Sequence, residues 1–224
     1  MSRTNNNNNT SSSPVSKYLK FSGKSGTFSF WNGERMVDYD AKQAFFTFSL
    51  LETKSKIVGW DESSESSIYS NEVGRLDLEE FTVKASKGSG NIAKGLYSDI
   101  KEELSSAKAK FATVIYAGTT DGEILHVTLT ASALGAWMDF KNSNKSEIWT
   151  HYIVYMGSEE RKKGAVTFKV PVFAIGEKID SEGDIIANEL SRKVDAYFGV
   201  GETAENESLS IPVSTVDMDD DLPF

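Results

Sequence analysis

Two groups of side chains in this chain have the types and spacings for binding chemistry. The first closes the sequence: Asp217, Asp219, Asp220 and Asp221 run into Leu222-Pro223-Phe224, a carboxylate cluster ending in an apolar hook. From Gly201 onward there are seven acidic residues and no Lys or Arg, so most of the net charge of −9 sits in this segment. Such a segment either solubilises or docks. Leu222 and Phe224 favour docking, because a basic pocket with an apolar floor would take both the carboxylates and the ring, whereas a solubilising tail gains nothing from exposed apolar residues. The second group lies in residues 1–60, where eight basic residues face four acidic ones. Rings are interleaved with these cations, and cations tracking phosphates beside rings that stack bases are what an unpaired nucleic acid strand requires.

Alternation along strand-like runs separates core rings from surface rings. Leu19 and Phe21 point one way, Tyr18 and Lys20 the other. Phe28 and Phe30 share a face, leaving Trp31 with Thr27 and Ser29; Phe46, Phe48 and Leu50 likewise leave Phe45 with Gln43, Thr47 and Ser49. Tyr18, Trp31 and Phe45 are therefore stacking candidates, with Tyr39 and Trp60 behind them. Lys20, Lys24, Arg35, Lys42, Lys54 and Lys56 are the phosphate candidates. The plainer alternative is that the rings cover core ends and the cations are solvated.

The stretch Asp219-Asp220-Asp221-Leu222-Pro223-Phe224 resembles the C-terminal tip of single-stranded DNA-binding proteins of bacteria and their phages. The resemblance spans these few residues alone. It implies an OB-fold, a five-stranded Greek-key barrel, that coats and protects single-stranded DNA during replication, recombination and repair. It also implies a tail that recruits polymerase, helicase or primase through Asp217 to Phe224, its aspartates competing with DNA for the basic groove. No cofactor and no metal are implied, nor a membrane. The setting would be cytoplasmic, in the bacterial host if the chain is phage-encoded, and assembly into a homo-oligomer is left open.

Composition bounds the rest. A chain of 224 residues with 39% hydrophobic content can build one sizeable core. It lacks any apolar run near the roughly 18 residues of a membrane span, and Met1-Ser2-Arg3-Thr4 followed by five Asn does not read as a signal peptide. Zero Cys rules out disulfides and thiolate zinc sites. The two histidines, His126 and His151, are too few for a histidine-rich metal cluster, and His126 reads as structural. No nucleophile–base arrangement stands out, so the expectation is a non-enzyme.

The organisation expected is an N-terminal arm over 1–16, one domain over 17–200 and a disordered acidic tail over 201–224. Short strands are predicted at 18–22, 26–31, 35–39, 42–51, 54–60, 79–85, 111–117, 123–130, 149–155 and 165–173. Helices are predicted from Asn91 through Leu104, over 132–140 and over 184–197. The class is mainly β with added helices. The OB-fold comes from the resemblance, and a β-sandwich would give a similar pattern. Gly23-Lys24-Ser25-Gly26 lacks the first Gly of a phosphate loop, and Gly88-Ser89-Gly90 reads as a flexible connection. Two rival functions remain: an adaptor that docks on the replication machinery without DNA affinity, and a nucleic-acid enzyme with an unrecognised site.

Overall fold

The computed structural model describes residues 13–39, 46–88 and 90–199. Eleven strands and three helices follow one another: β1 (Lys17–Ser22), β2 (Thr27–Trp31), β3 (Met36–Asp38), β4 (Phe46–Asp61), β5 (Ser66–Ser70), β6 (Phe81–Ala85), β7 (Ala93–Gly95), α1 (Tyr97–Ser106), β8 (Lys110–Thr119), β9 (Ile124–Thr130), α2 (Ala131–Ser143), β10 (His151–Lys163), β11 (Val166–Lys178) and α3 (Ser181–Tyr197). Mainly β with added helices therefore holds. The five-stranded OB barrel does not.

The strands join in one mixed sheet of order β3-β2-β1-β9-β8-β4-β5-β6-β7, with β10 on β4 and β11 on β10. Among the described residues no ladder closes this path, so the sheet is open. Two features explain the departure. β1 adds in parallel to β9, Tyr18 against His126 and Lys20 against Thr128, and the β2–β3 hairpin extends the sheet outward from there. At the other side, β11 pairs among the described residues only with β10; it carries Pro171, which has no N–H to donate, opposite Ser158 next to a register shift. A single main-chain bond, Lys169 N–H to the Gly23 carbonyl at 2.8 Å, joins β11 to the β1–β2 turn. The fold implied by the resemblance of Asp219 to Phe224 is corrected accordingly.

β4 is the spine. Its sixteen residues replace the two strands expected over 42–51 and 54–60, and it pairs with β8 along most of its length. A bulge between Leu50 and Glu52 inserts Leu51. Phe46, Phe48 and Leu50 point into the largest apolar cluster, with Leu19, Phe28, Leu125, Val127, Trp137 and Tyr155. Leu51 points the other way, into a cluster with Val114, Tyr116, Ile124 and two α3 residues, Leu190 and Val194. Ile57 joins a third cluster with Ile68, Val73, Phe81, Val83 and the α1 residues Ile100 and Leu104.

The helices follow from their apolar spacing. α1 starts at Tyr97 rather than after Asn91, because residues 93–95 are drawn into β7 against β6 and Gly95 turns the chain at φ +152°. α3 is capped by Asp180, whose carboxylate accepts from Gly183 N–H at 2.8 Å. None of the helices described is long and apolar enough to cross a membrane.

Candidate functional site

Pairing partners in a sheet project to the same side, so the ladders state which residues share a face. One row reads Lys20, Thr128, Val114, Lys54, and a second reads Tyr18, His126, Tyr116, Glu52. Ser29 pairs with Lys20, which puts Trp31 on this face, and Met36 pairs with Trp31. Down β4, Lys56, Val58 and Trp60 keep the parity of Lys54. Val58 pairs with both Lys110 and Tyr69, and Tyr69 with Lys84. Tyr18, Lys20, Trp31, Lys54, Lys56 and Trp60 thus lie on a single face of the sheet. The rings stand open on it: Trp31 is 61% exposed, Tyr18 55%, Trp60 54% and Tyr69 48%.

The centre of the face is a sunken polar network. Glu72, on the β5–β6 connection, accepts from Tyr116 Oη at 2.8 Å and meets His126 Nε2 at 2.8 Å through its other oxygen. Lys56 Nζ lies 3.5 Å from that second oxygen and 3.4 Å from His126 Nε2. His126 is only 2% exposed, and its ring carries the Tyr18 ring at a centroid distance of 4.9 Å. Burial pushes the Glu72 carboxyl up, but the His126 hydrogen bond, the His126 and Lys56 charges and the Tyr116 hydroxyl outweigh it and hold the group below the usual carboxylate range. Burial pulls the Lys56 ammonium below its ordinary value despite the attraction of Glu72. Desolvation and Glu72 push the Tyr116 phenol far up. These groups tie β4, β8, β9 and the β5–β6 connection together.

Beside the network ends α3. Phe198, just past its last residue, sets its ring at 5.6 Å from Tyr116 and 4.8 Å below Lys54 Nζ. Lys54 is thus engaged by a ring and by Glu52 at 4.0 Å, and Lys56 by Glu72. Lys20 has no ion-pair partner among the described residues.

The other candidates fall elsewhere. Tyr39 packs against the main core, its ring against Phe30 and Phe46. Lys24 sits in the β1–β2 turn, lining a shallow cleft with Gly23, Glu160, Thr167, Phe168 and Lys169. Arg35 is exposed in the β2–β3 turn, where its carbonyl accepts from Asn32 N–H. Lys42 and Phe45 lie outside the described residues, as do Asp217, Asp219, Asp220, Asp221, Leu222, Pro223 and Phe224. Sequence reasoning overlooked Glu72, Tyr116, Tyr69, Lys84 and Lys110. Alternation within β5 could have found Tyr69, which stands opposite in parity to buried Ile68.

Comparison with protein-family models, with curated proteins and with solved structures finds no match for this chain. The expectation of an OB-fold single-stranded DNA-binding protein that coats DNA in a barrel groove is corrected by the topology: among the described residues the sheet is open and forms no barrel-shaped cleft. What the fold offers is a sheet face whose middle is covered by α3 over Val114, Tyr116 and Ile124, with exposed rings and cations to either side of a fixed polar centre.

Proposed function

We propose that this chain is a non-catalytic binding protein whose open sheet face takes an unpaired stretch of nucleic acid as its ligand. Coating and strand protection in a barrel groove form no part of this reading, and recruitment through Asp217 to Phe224 rests on residues outside the described ones. The observation that carries it is the common face of Tyr18, Trp31 and Lys20, with both rings more than half exposed. Neighbouring exposed Trp and Tyr rings on one sheet face form an apolar patch of the kind that marks a binding surface, and bases stack on such rings at about 1–3 kcal/mol each. Lys20 beside them supplies a cation for the phosphates.

Tryptophan fluorescence, titrated with oligothymidine and with duplex of the same length, tests this. Single strands should quench the emission and duplex should not, and Trp31→Ala together with Tyr18→Ala should weaken binding by at least about tenfold. Unchanged affinity in that double variant, or equal affinity for duplex, refutes the reading.

A further inference from the structure

Resting on that reading, we infer that the face carries a second, separate ring-and-cation subsite on its far side, built by Trp60, Tyr69, Lys84 and Lys110. Trp60 and Tyr69 stand on adjacent strands with the same parity, since Val58 pairs with Tyr69 and Trp60 with Ser67. Lys110 flanks them from β8 and Lys84 from β6. Neither lysine has an ion-pair partner among the described residues, while their neighbours Lys94 and Lys108 are held by Glu80 at 3.9 Å and Glu62 at 2.9 Å. Two open rings and two uncommitted cations thus recur together, away from Tyr18 and Trp31. The charge and the flat faces fit the same ligand class, an unpaired polynucleotide.

The separation sets a length rule. Three strand spacings lie between β1 and β4, about 14 Å, and Trp60 is eight residues along β4 from Glu52 in the Tyr18 row, about 26 Å. The two subsites are therefore on the order of 30 Å apart. The sunken Glu72 network, its lysine already committed, lies between them beside the end of α3 at Phe198, so the connecting stretch of ligand passes alongside the helix end without a strong contact. A strand of about three nucleotides, with phosphates at least about 3.4 Å apart, fills one subsite; about ten already reach across about 30 Å, and one of about twenty spans both with slack. A long strand therefore gains affinity from occupying the second after the first, as a tethered ligand does.

The test uses the full chain, oligothymidine of those two lengths, and the variants Trp60→Ala/Tyr69→Ala and, independently, Lys84→Glu/Lys110→Glu. Each should weaken the long strand by at least about fivefold, with the lysine variant also lowering the salt dependence of binding. Tyr18→Ala/Trp31→Ala should weaken both lengths. If the wild type binds the long strand and neither far-side variant reduces its affinity, the second subsite is overturned and the first stands. If the wild type binds no single strand, both fall. Binding of duplex as tight as single strand, unaffected by the ring variants, overturns both as well.

Discussion

Glu72→Gln isolates the polar centre of the face. The substitution keeps the shape and one acceptor oxygen but removes the charge that faces Lys56 at 3.5 Å and receives the Tyr116 and His126 contacts at 2.8 Å. Hydrogen bonds to a charged group are worth about 1.5–3 kcal/mol, and stranding one partner of a fully buried pair costs about 3–5 kcal/mol. Lys56 and Glu72 retain a little exposure, which lets water relieve part of the cost. The expected loss at neutral pH is about 2–3 kcal/mol, or roughly 5–10 °C in Tm for a body of this size. Urea unfolding of wild type and variant measures it, and the Lys56→Met background should recover most of it by removing the stranded ammonium.

The pH dependence supplies a second handle. Folding holds the Glu72 carboxyl below its unfolded value, so its contribution is complete above the ordinary carboxylate range and vanishes as pH falls through the lower folded value. The stability gap between wild type and Glu72→Gln should narrow as the pH falls below the ordinary carboxylate range. A gap under about 0.5 kcal/mol at neutral pH, or one that ignores acid, refutes the account of the network.

Other consequences are as direct. Burial already lowers the Lys56 pKa against the pull of Glu72, so Glu72→Gln should lower it further; acetylation rates against pH, read by mass spectrometry, would show a midpoint displaced downward, and an upward displacement contradicts this. Gly26→Ala should cost about 1–3 kcal/mol in urea unfolding, since Gly26 has φ +76° and a Cβ there would strike Ser158 and Lys169; a loss below about 0.5 kcal/mol would show that the β1–β2 turn does not lean on the β10–β11 hairpin as described. Tyr155→Phe should cost about 1 kcal/mol by the same assay, because its hydroxyl donates to the Gly26 carbonyl at 2.9 Å in a buried setting; no measurable loss would mean that water replaces the bond.

Local periodicity reveals what one strand does by itself and little of what strands do together. The faces of Tyr18, Lys20 and Trp31 were readable because β1 and β2 alternate cleanly against Leu19, Phe21 and Phe28. β10 and β11 run well past their expected ends: the polar stretch 158–163 pairs residue by residue with 166–171, and β11 continues to Lys178 opposite His151. β5 and β7 escaped notice: the first opens on Ser66-Ser67, the second is three residues long with a Gly. The parallel union of β1 with β9 joins segments more than a hundred residues apart, Tyr18 to His126, and no local signal specifies it. Glu72 likewise finds Tyr116 across 44 residues and His126 across 54. His126 read as structural, and its burial within the network agrees, but its carboxylate partner is a product of topology.

The placement of Lys54, Lys56 and Trp60 turns on one residue. Side chains on a strand alternate, so a register slip of one moves every later residue to the opposite face. Even-numbered Phe46, Phe48 and Leu50 face the main core; without interruption Lys54, Lys56 and Trp60 would follow them inward. The bulge at Leu51 reverses the parity, so the same even-numbered positions emerge on the open face while Ile57 turns into the third cluster. Deleting Leu51 should therefore be far worse than shortening its side chain. Leu51→Ala removes a buried methyl cluster and should cost about 2–5 kcal/mol. The deletion forces either two ammonium groups inward or Phe46, Phe48 and Leu50 outward, the latter about 1.5–3 kcal/mol for each side chain. Either alternative reaches the about 5–15 kcal/mol by which a whole domain is stable, so the deletion variant should show no cooperative unfolding transition by circular dichroism. A deletion variant that melts within a few degrees of Leu51→Ala would mean that β4 does not need its bulge to place the face.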